Sequence, residues 1–235
     1  MRTAQSTIEE ARAIDHAISL CYALAQAACP IALLVGDVAA AEHYVRVLLD
    51  DSTRHTLAFW HAWGRSYEGA LVIRRGDLTA GLRLLRAGFD ELGEARSAFR
   101  YISFLGALAE ALGRAGQVSD GLAAIDEALE RSERTEELWR IAELLRIKGE
   151  LVLVQGGSDA AAAAEDCFRQ ALDWAHRQGA LSWELRTASI LARLWRDQQR
   201  VKEARELLGS VYGRFTEGFA TADLREARSL LEQLA

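Results

Sequence analysis

LGALAEALGRAGQVSDGLAAIDEAL, residues 105–129, holds two apolar stripes with a break between them. Leu105, Leu108, Ala109 and Leu112 fall at i, i+3, i+4 and i+7, which places them on one face of a helix. Gly116 ends that helix and Gln117-Val118 make a short turn. A second stripe follows at Leu122, Ile125, Ala128 and Leu129. Amphipathic helices joined this closely are expected to fold back as an antiparallel hairpin. One hairpin cannot cover both of its own stripes, so it needs neighbours of its own kind.

The neighbours recur at fixed phase. Gly36, Gly76, Gly116 and Gly156 are 40 residues apart. Ala41, Gly81 and Gly121 follow the first three at the same offset, and Ala164 and Ala204 continue that series. A glycine that ends the first helix, and a small residue that lets the second approach it, together predict stacked helical hairpins. The expected fold is all-α: a right-handed solenoid of about five antiparallel hairpins, tetratricopeptide-like or, alternatively, HEAT-like. Leucine at Ala109 is expected to overpack a helix contact and cost about 1–3 kcal/mol, and leucine at Ala163 to cost little.

The composition narrows the function classes. Half of the 235 residues are hydrophobic, and a single proline suits an all-helical chain. Net charge is -6 and the pI about 5.5, with both signs mixed. That argues against nucleic acid as a partner. The longest apolar run, 27–36, reads as too short to span a bilayer, and the N-terminus lacks an apolar signal core, so a cytoplasmic protein is expected. Cys21, Cys29 and Cys167 are unclustered and read as small buried hydrophobes.

In chain order, Ser6-Thr7-Ile8-Glu9 matches a capping box and predicts a helix over 6–16. That helix lacks a partner before it, a hint that more chain precedes it in a larger protein. Hairpins are expected at 18–49, 57–92, 98–133, 137–178 and 182–214, with a polar-backed capping helix at 223–234. Pro30 falls inside the first hairpin and should kink its helix near Ala27. Ser158 or Asp159 is a candidate N-cap, and Gln199 stands in for the turn glycine.

Aligned on the turn glycine, the third hairpin resembles a tetratricopeptide repeat at Leu105, Leu108, Ala109, Leu112, Gly116, Gly121, Ile125 and Ala128. The fourth supplies Leu145, Gly149, Val152, Gly156, Phe168 and Ala171, and the fifth Leu191, Ala192, Trp195, Ala204 and Leu208. The 40-residue spacing exceeds that family's usual period, no proline closes a repeat, and Lys148 stands where a large apolar residue belongs. The runs at 142–153, 164–200 and 211–231 closely resemble C-terminal tetratricopeptide regions of bacterial multidomain regulators. In that group a signal-transduction ATPase follows a winged-helix or an adenylate/guanylate cyclase domain. The resemblance implies a sensory or scaffolding arm.

No catalytic constellation stands out. There is no phosphate-binding GxxxxGK, no HExxH and no GxSxG. His55 and His61 are six apart, and His43 and His176 are isolated. No enzyme activity, metal or cofactor is expected, and the ATPase would lie outside this chain. The resemblance implies that the first helices of the hairpins line a concave groove. Its motif offsets point Trp63, Tyr67, Arg74, Glu110, Arg114, Glu143, Arg146, Glu150, Arg186, Arg193, Arg196 and Asp197 into it. The aromatic spacing Trp60, Trp63, Tyr67 also reads as core. An arginine-rich groove suits an extended acidic or mixed-charge peptide, or another domain of the same polypeptide, because guanidinium groups pair with carboxylates in a bidentate way. A small-molecule effector in the same groove is the alternative. Charge reversal at Arg186 and Arg193 together is expected to abolish partner capture without loss of helicity.

Overall fold

The computed structural model describes residues 2–13, 15–93 and 101–235, and among them every regular element is a helix. In order these are α1 (Arg2–Ala13), α2 (Ala17–Ala23), a π-helical turn (Leu24–Ala28), α3 (Cys29–Val35), α4 (Val38–Arg54), α5 (Ala58–Arg74) and α6 (Leu78–Leu92). Then come α7 (Tyr101–Arg114), α8 (Val118–Thr135), a 3-10 turn (Leu138–Arg140), α9 (Ile141–Gln155), α10 (Ala160–Arg177), α11 (Leu181–Asp197), α12 (Val201–Tyr212) and α13 (Ala222–Gln233). They form two compact units, divided between Ala115 and Gly116. Within each, helices adjacent in sequence pack together: α4 on α5 and α5 on α6 in the first, and each of α8 to α12 on the next in the second. The two helices of the 105–129 stretch form as α7 and α8, one in each unit.

The turns explain the pairing. Gly36, Gly76, Gly116 and Gly156 all take positive φ, between 75° and 101°. A left-handed residue just past a helix lets the chain reverse while the last carbonyls stay bonded. The Asp37 amide donates to the Ala32 carbonyl (2.9 Å) and the Asp77 amide to Val72 (3.2 Å), closing the same turn twice. Asp37 and Asp77 then cap the next helices, each accepting from a backbone amide three residues on (2.9 Å). Gln199 adopts φ 65° and the Arg200 amide reaches the Trp195 carbonyl (2.7 Å), so glutamine does the work of the glycine.

Three local expectations need correction. Ser6 lies inside α1, not at its start, and its hydroxyl donates to Glu10 (3.1 Å), so the capping box does not form. Asp159 stands at the N-cap of α10 but with ψ near 2°, and its side chain makes no capping bond; that backbone does not aim the carboxylate at the helix amides. The 19 residues Ala17–Val35 form one uncharged helical run of mean hydropathy 2.0, long and apolar enough to cross a membrane. Counting only strictly apolar residues understated it, because Ser19, Tyr22 and Gln26 interrupt the run without adding charge. Half of it is buried within the fold. The expected start of the third hairpin near Ala98 lies outside the described residues.

Pro30 acts as expected, by a specific device. It removes an amide donor from the helix, and the chain widens into the π-helical turn just before it, where the Cys29 amide bonds the Leu24 carbonyl. Lys148, out of place in an apolar stripe, forms an ion pair with Asp126 of α8 (2.8 Å). Cys21 and Cys29 are buried and Cys167 is half-buried, all as free thiols.

The tightest seam lies between α5 and α6. A Cβ at Gly69 would meet the Leu85 amide nitrogen at 2.8 Å, and one at Gly81 would meet the Gly69 carbonyl oxygen at 2.9 Å. In the second unit Gly149 makes room for the Phe168 ring, which is fully buried. Ala109 is fully buried while Ala163 is exposed. Urea unfolding is therefore expected to show Ala109→Leu destabilised by about 1–3 kcal/mol and Ala163→Leu within about 0.5 kcal/mol of the parent.

Candidate functional site

The aromatic stripe of α5 splits between inside and outside. Trp63 and Tyr67 are 1% and 3% exposed. Both pack edge-on against Phe104 of α7, at centroid distances of 6.0 and 4.9 Å. The Tyr67 hydroxyl donates to the Ala25 carbonyl at 2.6 Å. They are core residues, and the groove position expected for them is corrected: α7 and the π-helical turn already occupy their faces. The accessible aromatics lie one turn earlier. Phe59 is exposed and Trp60 half-buried. Tyr22 meets Trp60 edge to face (6.0 Å), and Phe59 packs on Trp60 (5.1 Å). With Ile18, one turn before Tyr22 on α2, they leave an apolar patch open to solvent. The sequence contained the signal, a Phe-Trp pair at the start of α5, but helical spacing alone does not say which of Trp60 and Trp63 a neighbour covers.

The second unit gathers the expected charges into a network. Glu143 and Arg146, both on α9, are 6% exposed each. Arg146 donates from Nε and Nη2 to the two Glu143 oxygens (2.9 and 3.1 Å) and from Nη1 to Glu150. Arg186 on α11 reaches Glu143 (3.4 Å) and bonds Asp223 on α13 (2.7 Å). Burial pushes the Glu143 carboxyl up, but the charge and hydrogen bonds of Arg146, then Arg186 and Arg140, outweigh it and hold the group at about 2. The site therefore holds a neutralised, mutually bonded set rather than a row of free guanidinium groups.

Other expected residues sit more openly. Arg193 approaches Glu226 (3.4 Å), and Arg196 contacts Gln233 (3.1 Å) and Asp197 (3.0 Å). α13 thus lays Asp223, Glu226 and Gln233 along the arginines of α11. Arg74, Glu110 and Arg114 are exposed on α5 and α7 of the first unit. Sequence reasoning missed Asp223, whose partner lies 37 residues earlier. It also missed Glu184, a buried residue bonded to Arg214. Trp139 and Trp183 stack at 6.0 Å, with the Arg140 guanidinium 5.4 and 5.9 Å from their rings. Among the described residues no group of His, Cys, Asp and Glu is placed to hold a metal ion.

A helical chain of this pairing has a counterpart among solved structures. This chain shares its fold with BtubC. The crystal structure of BtubC (BKLC) from P. vanneervenii superposes with a TM-score of 0.63 over 84% of this chain and 81% of that one, at 16% sequence identity. At that identity the likeness to BtubC concerns the fold alone. No family model matches the sequence, and no curated protein matches it.

Proposed function

We propose that this chain is a non-catalytic protein-interaction module, built as a right-handed tetratricopeptide-like solenoid. In this reading it is the sensory or regulatory arm of a cytoplasmic bacterial signalling or transcription-regulating protein. The observation behind it is the open patch of Ile18, Tyr22, Phe59 and Trp60. Large aromatics left to solvent in one cluster mark interaction surfaces, and Trp and Tyr dominate the energy of such contacts. The run Ala17–Val35, which carries Ile18 and Tyr22, has no charge, so the favoured occupant is a partner segment that anchors large apolar side chains there. The internally paired network of Glu143, Arg146 and Arg186 disfavours an acidic peptide bound by those arginines, since it would have to displace their carboxylates. The 40-residue spacing of the left-handed turns and the resemblance of the C-terminal half to tetratricopeptide regions support the regulator reading.

The test compares affinity capture by the parent and by Tyr22→Ser with Trp60→Ser. The expected result is a partner recovered by the parent and lost by the double variant, whose unfolding midpoint moves by no more than a few degrees. Recovery of the same partner by both would overturn the patch assignment. Reading the encoding frame upstream of Met1 tests the arm: a continuous frame for a phosphate-loop ATPase is the expected result.

A further inference from the structure

The first unit contains a polar cleft of about 370 Å³ that none of the expected groove residues lines. Its walls are the end of α1, the turn into α2 and the last turns of α4. Ala11, Leu20 and Val47 give it apolar lining, and Arg12, Asp15, Asp50, Asp51, Arg54 and His55 ring it with both signs of charge. Asp51 is the buried member, 9% exposed. Its nearest partners are weak: the Cys21 thiol at 3.7 Å and His55 at 3.8 Å. Burial first, and then the Asp51 charge, push the Cys21 thiol up to about 12, so it remains a protonated donor.

A carboxylate this buried normally has strong hydrogen bonds or an ion pair. Arg54 follows Asp51 by three residues on α4 and faces the same cleft, yet no ion pair joins them. Nor does any described carboxylate pair with Arg12. The cleft therefore presents a buried anion and two guanidinium groups, all with bonding capacity to spare. Three aspartates against two arginines leave it one negative charge in excess when histidine is neutral. A ligand that satisfies every group brings one carboxylate and two cationic groups. The volume lies at the lower end of small-molecule sites.

We propose that this cleft binds a small basic amino acid, its α-ammonium on Asp51, its carboxylate on Arg54 and Arg12, and its side-chain cation toward Asp50 and Asp15. This goes beyond partner docking, because it gives the first unit a soluble ligand. The ligand would tie α1 to α4 and so stiffen the start of the chain.

Calorimetric titration of the full chain tests it with matched probes: L-lysine, cadaverine (no carboxylate), 6-aminohexanoate (no α-amino group) and L-norleucine (no side-chain amine). L-lysine is expected to bind, and each analogue to bind at least about tenfold more weakly. Asp51→Asn and, separately, the exposed Arg54→Gln are each expected to weaken L-lysine by about tenfold, with unchanged circular dichroism. Three results would each overturn the assignment: no L-lysine binding, cadaverine binding as tightly as L-lysine, or L-lysine affinity unaltered in both variants.

Discussion

Replacement of Arg146 by alanine is expected to destabilise the second unit by about 3–5 kcal/mol at neutral pH. That is the usual cost of removing one partner from a buried ion pair and leaving the other charge behind. Glu143 would retain Arg186 at 3.4 Å but lose its bidentate partner. Equilibrium urea unfolding measures the change. Glu143→Met combined with Arg146→Met is expected to recover most of it, because a packed apolar pair removes both desolvation penalties. A loss below about 1 kcal/mol in Arg146→Ala would mean that the network does not exist in solution.

The same network makes stability depend on pH. The folded Glu143 carboxyl is held at about 2, below its ordinary value. A depressed carboxyl contributes stability in full above its unfolded pKa. That contribution fades as pH falls from about 5 towards the folded value. The parent is expected to lose urea resistance over that range, and the double methionine variant to lose less. Charge reversal at Arg186 must also be reconsidered. Arg186→Glu would place a third carboxylate against Glu143 and Asp223, so it tests folding rather than partner capture.

Gly69→Val is expected to produce the largest effect in the first unit, more than about 4 kcal/mol. The obstruction is backbone on backbone. The new Cβ would lie 2.8 Å from the Leu85 amide nitrogen and 2.9 Å from the Gly81 carbonyl oxygen. Neither can move without separating α5 from α6. Gly76→Ala supplies the contrast. Its Cβ would meet nothing within 4 Å, and only its φ of 101° opposes a side chain, a cost of about 1–2 kcal/mol. Thermal and urea unfolding of the two variants separate the effects. A Gly69→Val chain as stable as Gly76→Ala would refute the close seam.

The sequence by itself determined the helices and their turns. Apolar stripes, left-handed glycines and helix-capping aspartates act over four or five residues, so α5, α6, α11 and α12 fall within a few residues of expectation. The break before Pro30 was legible for the same reason. Charge and aromatic residues were placed by the tertiary structure. Trp60 and Trp63 share one stripe, yet Phe104, some 40 residues away, covers Trp63 and leaves Trp60 half-buried. Glu143, Arg186 and Asp223 lie on three different helices, and only packing decides that they neutralise one another. The cleft at Asp51 is likewise assembled by α1, α2 and α4. Local spacing fixes which face of a helix a residue occupies, whereas burial depends on what is packed against that face.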